Sequence, residues 1–184
     1  MSRLPPIDRD SLSPEERAIW ERIAAVRAGV RAGAGGGPFG VLMHVPALAD
    51  RVASAEDYFR FDAALPAADR ELVILSTSRE MGARYPWTRH EVRGREVGTR
   101  AEAIEAVRAN GGLEGLTARE RLLVEIVRSL LRTRALTDEL FARALAELGR
   151  RQLIETVVLT GHYSSVGLLV SAFAVPPPEG SATF

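Results

Sequence analysis

Proton chemistry near neutral pH in this chain falls to three histidines, because the sequence contains no cysteine and no lysine. His90 is the most suggestive. It follows Tyr85-Pro86-Trp87-Thr88-Arg89, and Arg93 lies one turn later on the same helical face. An imidazole beside a guanidinium suits a site that holds a carboxylate and moves a proton near it. The competing reading is a surface helix knit by Glu91 with Arg95 and Arg93 with Glu96. His44 sits in the turn Val41-Leu42-Met43-His44-Val45-Pro46, a setting for capping or packing. His162 lies in Thr160-Gly161-His162-Tyr163-Ser164-Ser165, a small, polar interruption of an apolar helix, which favours close helix approach over a site. Arg89 and Arg93 are candidates for an anionic group on a substrate. Tyr85 and Trp87 are the nearby aromatics, residue types that more often anchor a core or an interface.

The missing residue types exclude whole classes. Without thiols there is no thiol peroxidase, cysteine hydrolase, zinc ribbon or CxxC oxidoreductase. Without lysine there is no Schiff base and no phosphate-loop lysine. No cofactor or metal site is expected. The 24 basic and 24 acidic residues cancel, which argues against a nucleic-acid partner. Residues 1–10 lack the apolar core of a signal peptide, and the longest apolar run, near 166–175, is short for a membrane span. The expectation is a cytoplasmic protein with no membrane partner.

At 184 residues the chain is expected to form one domain, 1–184, with extended tails at 1–13 and 174–184. Helix punctuation recurs and alternating strand patterns do not, so the fold class is all-α. Ser13-Pro14-Glu15-Glu16 is a helix start, predicting a helix over 14–32. A glycine-rich loop at 33–37 and a short turn at 39–44 follow; no phosphate-binding frame accompanies those glycines. Pro46, Pro66 and Pro86 open helices over 46–63, 66–81 and 86–98. Thr99-Arg100-Ala101-Glu102 and Thr117-Ala118-Arg119-Glu120 both read as capping boxes. Asn110-Gly111-Gly112 stops one helix, Thr137 starts another that ends near Gly149, and 150–173 reads as a long final helix. Pro176-Pro177-Pro178 then forces an extended tail. Two stretches, Leu72-Val73-Ile74-Leu75 and Leu153-Ile154 through Val157-Val158-Leu159, are apolar around much of the helix. One small domain has few fully internal positions for such helices, which predicts a homo-oligomer: a trimer, a hexamer or a dimer.

Arg70-Glu71-Leu72-Val73-Ile74-Leu75, then Ala83-Arg84-Tyr85-Pro86-Trp87-Thr88-Arg89-His90, then Gly94-Arg95-Glu96-Val97-Gly98 together resemble the carboxymuconolactone decarboxylase and alkylhydroperoxidase D superfamily of small all-helical oligomers. Arg3-Leu4-Pro5-Pro6 near the start, and Gly161-His162-Tyr163 with Phe173-Ala174-Val175-Pro176 near the end, look like a subgroup of about this length. The resemblance implies an alkylhydroperoxidase D-like multi-helix fold. It also pairs Glu71, the family's acid, with His90, its histidine. The peroxidase branch uses two cysteines before that histidine; the matching positions here are Ala83 and Pro86, so thiol chemistry is absent. What the decarboxylase branch implies is a histidine that handles protons around a lactone carboxylate without a cofactor. Taken alone, Glu71 also fits a residue that favours the helix dipole or pairs with an arginine.

Three functions compete at this stage. The first is a cofactor-free lyase or isomerase acting on a small cyclic carboxylate or lactone, with His90 as general acid/base, Glu71 orienting it, and Arg93, Arg89, Tyr85, Trp87 and His162 as candidate substrate contacts. The second is a non-catalytic ligand-binding or scaffolding oligomer of the same fold. The third is a protein peroxidase-like by family name alone, without thiol peroxidase activity.

Overall fold

The computed structural model describes residues 2–27, 36–181 and 183–184; among them every regular element is helical. The order is α1 (Pro14–Val26), α2 (Gly37–Leu42), α3 (Pro46–Asp57), α4 (Ala67–Glu80), α5 (Arg84–Glu96), α6 (Ala101–Ala109), α7 (Ala118–Thr133) and α8 (Asp138–Ala172). A π turn, Tyr58–Asp62, continues α3. The all-α reading therefore holds.

Local chemistry sets most of the boundaries. Ser13 and Thr117 each form a complete capping box, with Glu16 and Glu120 reaching back to the cap N–H. Asn110 ends α6 in the left-handed conformation, φ 53°. Gly149 breaks α8 with φ 68° and ψ 171°, a region essentially reserved for glycine, so the stop expected there is real although the two halves run on as one element. Thr99 departs from expectation. Arg100 caps α6 with no side-chain bond, and the Thr99 hydroxyl instead donates to the Ala68 carbonyl at 3.0 Å, tying α6 to α4. The segment expected as a short turn at 39–44 is the six-residue helix α2. α1 stops at Val26, short of the predicted 32, because Arg27 is already extended and turns its guanidinium onto Glu56 and Asp57; residues 28–35, which include the rest of that predicted helix and part of the glycine-rich loop, lie outside the described residues.

α4 runs through the centre, packed against α5, α6, α7 and α8, and residues 71–78 are all buried. Leu72, Val73, Ile74 and Leu75 are each at most 2% exposed within the one chain. Their all-round apolarity is thus satisfied internally and does not itself require an oligomer. A smaller cluster from Ile23, Ala24, Phe39, Leu42, Met43, Ala49 and Ala53 closes the N-terminal side. His44 belongs to this region as a tie, its Nε2–H donating to the Pro5 carbonyl at 3.1 Å. The C-terminal tail folds back: the Phe184 ring meets Trp87 edge-on at 5.2 Å, and Arg108 donates to the Thr183 carbonyl.

Two devices position the site. The π turn is held by Arg70 donating to the Phe59 carbonyl and by Glu155 of α8, which accepts from the Tyr58 hydroxyl and the N–H groups of Ala64 and Leu65. It places Arg60 at the cavity described below. At the start of α2, Gly37 has φ +62° and lies directly against the Tyr85 hydroxyl, where a Cβ would overlap the phenol. Only glycine admits Tyr85 there.

Candidate active site

Glu71 points inward from α4, His90 from α5 and Tyr163 from the second half of α8; all three are buried. Glu71 Oε2 lies 2.6 Å from His90 Nδ1, and the Tyr163 hydroxyl lies 3.0 Å from His90 Nε2. The two rings meet edge-on at 4.9 Å. Burial, and then the Glu56 and Glu71 carboxylates, hold the Tyr163 phenol well above its ordinary range, outweighing Arg93 and Arg70. It therefore keeps its proton and donates to Nε2. Nδ1 then carries the imidazole hydrogen and donates to Glu71. Burial pushes the Glu71 carboxyl up, but the His90 charge and hydrogen bond, with Arg70 and Arg93, outweigh it and leave the group below its ordinary value. Glu71 is thus an anion that fixes the tautomer of His90. The surface-helix reading of this histidine fails because His90 is only 6% exposed, although the Glu91 to Arg95 bridge it invoked is present at 3.0 Å.

A second carboxylate–imidazole pair sits behind the first. Glu56 Oε1 lies 3.4 Å from His162 Nε2, and Glu56 also accepts from the Arg27 guanidinium at 3.3 Å. Burial raises the Glu56 carboxyl, yet the His162 hydrogen bond, Arg27 and the charges of His162 and His90 bring it below its ordinary value. His162 packs edge-on against Tyr163 at 5.4 Å.

Two adjoining cavities, of about 90 and 220 Å³, open on these groups; both are lined by Glu56, Arg60, His90, Arg93 and Tyr163. Tyr85, Pro86 and Arg89 line the first, and Arg70 and Glu71 the second. Among the described residues neither Arg60 nor Arg93 has a carboxylate within ion-pair distance. Burial, followed by the charges of Arg93 and Arg27, holds the Arg60 guanidinium below its ordinary value. Guanidiniums crowded beside a void, without a counter-ion for two of them, make a site for an anion.

The residues expected at the site divide. Glu71, His90, Arg93, Arg89 and Tyr85 come together at the cavities, Arg89 on the exposed rim. Trp87 does not: it is fully buried in the core, with the Arg108 guanidinium 5.0 Å from its ring. It turns away because α5 presents its cavity face at 85, 86, 89, 90 and 93, and Trp87 falls on the other side. His162 lines neither cavity and reaches them through Glu56. Sequence reasoning missed Tyr163, Glu56, Arg60 and Arg27. The adjoining pair His162-Tyr163 was a signal for the first; nothing local marked the others. Among the described residues no three histidine, aspartate or glutamate side chains converge as a metal site would require.

These features define an all-helical protein with an alkylhydroperoxidase D-like fold. It superimposes on an uncharacterized peroxidase-related protein from Silicibacter sp. TM1040 with a TM-score of 0.77 at 15% identity, covering 97% of this chain and 92% of that one. An alkylhydroperoxidase AhpD core, an uncharacterized peroxidase-related protein from Ralstonia eutropha JMP134, gives 0.76 at 19% identity, covering 97% and 93%. No curated protein matches the chain. The model of the carboxymuconolactone decarboxylase family matches residues 45–129. The matched segment includes the motif around Glu71 and His90, and the whole chain lacks cysteine. Glu56, Arg60, Glu71, His90 and Arg93 lie inside the matched segment; Arg27 and Tyr163 lie outside it and are brought in by the fold.

Proposed function

We propose that the double cavity is the active site of a cofactor-free lyase or isomerase that moves a proton on a small cyclic carboxylate or lactone, with His90 as general acid/base. The reading is carried by the hydrogen-bonded chain Glu71–His90–Tyr163, which ends against a cavity lined by Arg60 and Arg93. The guanidiniums hold the substrate carboxylate and stabilise negative charge that develops beside it. Because His90 Nε2 faces the Tyr163 hydroxyl, the proton passes through that oxygen. A substrate C–H gives its proton to Tyr163 as the phenolic proton moves to Nε2, leaving an enolate on the substrate and an imidazolium that Glu71 neutralises. Reversal delivers a proton to a different carbon and completes an isomerisation. In a decarboxylation the electron pair left by departing CO2 takes the phenolic proton of Tyr163, and a proton from solvent water restores the hydroxyl.

A panel of small unsaturated lactones and cyclic carboxylates, followed by loss of ultraviolet absorbance and by CO2 release, tests this. With a turned-over substrate in hand, His90→Ala is expected to lower kcat by about 10²–10⁴ while the helical circular dichroism spectrum is kept. Arg93→Gln is expected to raise KM at least about tenfold. Turnover that survives His90→Ala overturns the reading.

A further inference from the structure

The two cavities differ in the charges on their walls. Arg27, Arg60, Arg89 and Arg93 line the smaller one against a single carboxylate, Glu56, while Glu71 and Glu96 line only the larger. Glu56 is already engaged: it accepts from Arg27 at 3.3 Å and faces His162 at 3.4 Å. Among the described residues Arg60, Arg89 and Arg93 have no carboxylate within ion-pair distance, so three guanidiniums border this void without a counter-charge. Arg27 is itself fixed in place. Its Nη2 donates to the Asp57 carboxylate at 2.9 Å and to the Ala53 carbonyl at 3.1 Å, and its guanidinium lies 4.6 Å from the centre of the Phe39 ring. The side chain is 10% exposed, yet Nη1 is sealed from solvent and has no hydrogen-bond partner. A buried charged donor left unused is costly, and one already held in position loses little freedom when a ligand takes it up.

The proton chemistry proposed above uses one substrate carboxylate, which neutralises one of the three charges and leaves two. A second carboxylate leaves one over. A phosphate monoester carries about 1.5 to 2 negative charges near neutral pH and presents three acceptor oxygens, so it matches both the remaining charge and the spread of guanidinium donors. The crowding is felt in the empty site: burial, and then the charges of Arg93 and Arg27, hold the Arg60 guanidinium below its ordinary value, and a dianion relieves the last two. Phe39, Tyr85, Pro86 and Val166 give the smaller cavity an apolar flank for the ring or chain that carries the phosphate. His90 and Tyr163 line both cavities, so a single molecule spanning them passes the proton-transfer groups.

We infer that the smaller cavity binds the phosphate group of a phosphorylated substrate, held by Arg60, Arg89 and the unpartnered Nη1 of Arg27, while the bond changes take place in the larger one. The inference rests on the reading of the double cavity as a catalytic site; the phosphate is a handle and keeps its own bonds. Titration calorimetry at about pH 7.5, where the second phosphate proton is lost, tests it with phenyl phosphate as the probe. Phenyl sulfate, of the same shape but with one negative charge, and phthalate, an aromatic dicarboxylate, are the comparisons. Phenyl phosphate is expected to bind at one site per chain and at least about tenfold more tightly than either. Arg60→Gln and Arg89→Gln are each expected to weaken it at least about tenfold. Arg89 is exposed, so its replacement leaves the fold intact. Arg121→Gln, on the exposed side of α7 and lining neither cavity, is expected to leave binding unchanged. No heat of binding with phenyl phosphate, equally tight binding of phenyl sulfate or phthalate, or an equal loss in Arg121→Gln each overturns the inference. Turnover of an unphosphorylated lactone by a protein that ignores phenyl phosphate overturns it too and spares the lyase reading. Phenyl phosphate binding that depends on Arg60 and Arg89 supports it even if no lactone reacts, an outcome that counts against the lyase reading alone.

Discussion

The Tyr163 hydroxyl lies 3.0 Å from His90 Nε2, at the end of the imidazole opposite the Glu71 carboxylate. This relationship gives each member of the chain a separate job. In the proposed reaction Glu71 sets charge and tautomer, His90 stores the proton, and Tyr163 meets the cavity.

Their removal should therefore be felt differently. Tyr163→Phe keeps the ring and the packing but breaks the path, so kcat is expected to fall by about 10² or more with KM little changed. Glu71→Gln leaves a buried imidazole without its anion; it should lower kcat and also cost roughly 3 kcal/mol of stability, read from the urea midpoint. An unchanged kcat in Tyr163→Phe would show that the Tyr163 hydroxyl lies outside the proton path.

Stability should fall on the acid side. Glu71, Glu56 and Glu155 all lie below the ordinary 4.5 in the folded chain. Burial pushes each of them up, and the Glu155 bonds from the Ala64 and Leu65 N–H groups, the Tyr58 hydroxyl and Arg151 outweigh it as imidazole and guanidinium do at the other two. Near pH 4 the unfolded chain then binds more protons than the folded one. The contribution is complete above the unfolded value and is lost as the pH falls through the folded ones. Urea midpoints measured between about pH 6 and 3 should decline steadily on the acid side, and more shallowly in Glu155→Gln. A flat profile in the wild-type protein would contradict the hydrogen-bonded carboxylates.

Gly37→Ala places a methyl group on the Tyr85 phenol and forces alanine to φ +62°. The expected loss is at least about 2 kcal/mol. Tyr85→Ala in the same background should recover part of it, the overlap but not the backbone strain. A neutral Gly37→Ala would mean that α2 does not seat against Tyr85.

The two structural relatives are named peroxidase-related, yet this chain has no cysteine. Hydroperoxide consumption with a dithiol donor, followed by an oxidation-sensitive dye, is expected to equal the protein-free blank. Dithiol-dependent consumption above the blank would exclude the proton-handling reading of Glu71 and His90 as the whole of the chemistry.

What the sequence determined by itself is what acts within a few residues. The caps at Ser13 and Thr117, the stop at Asn110 and the break at Gly149 were legible because a hydroxyl and a carboxylate three positions apart, or a residue that tolerates positive φ, settle a helix end locally. The pairing of Glu71 with His90 was legible through the family motif, since 19 residues span two adjacent helices and one turn. Thr99 shows the limit: its spacing fits a capping box as well as that of Thr117, but the Ala68 carbonyl competes for the hydroxyl and prevails.

Only the tertiary structure decided the rest. Tyr163 is 73 residues from His90, and Arg27 reaches Glu56 from 29 residues away; such meetings depend on how helices cross. Trp87 and His90 share one helix, but packing sent one to the core and the other to the cavity. The same holds for the two apolar stretches, which looked alike in sequence. The neighbours of α4 cover Leu72, Val73, Ile74 and Leu75 on every side, whereas α8 is covered on one side and leaves Ile154, Val157 and Val158 in the open. Periodicity tells which residues share a face; which faces find a neighbour is settled by the assembled fold.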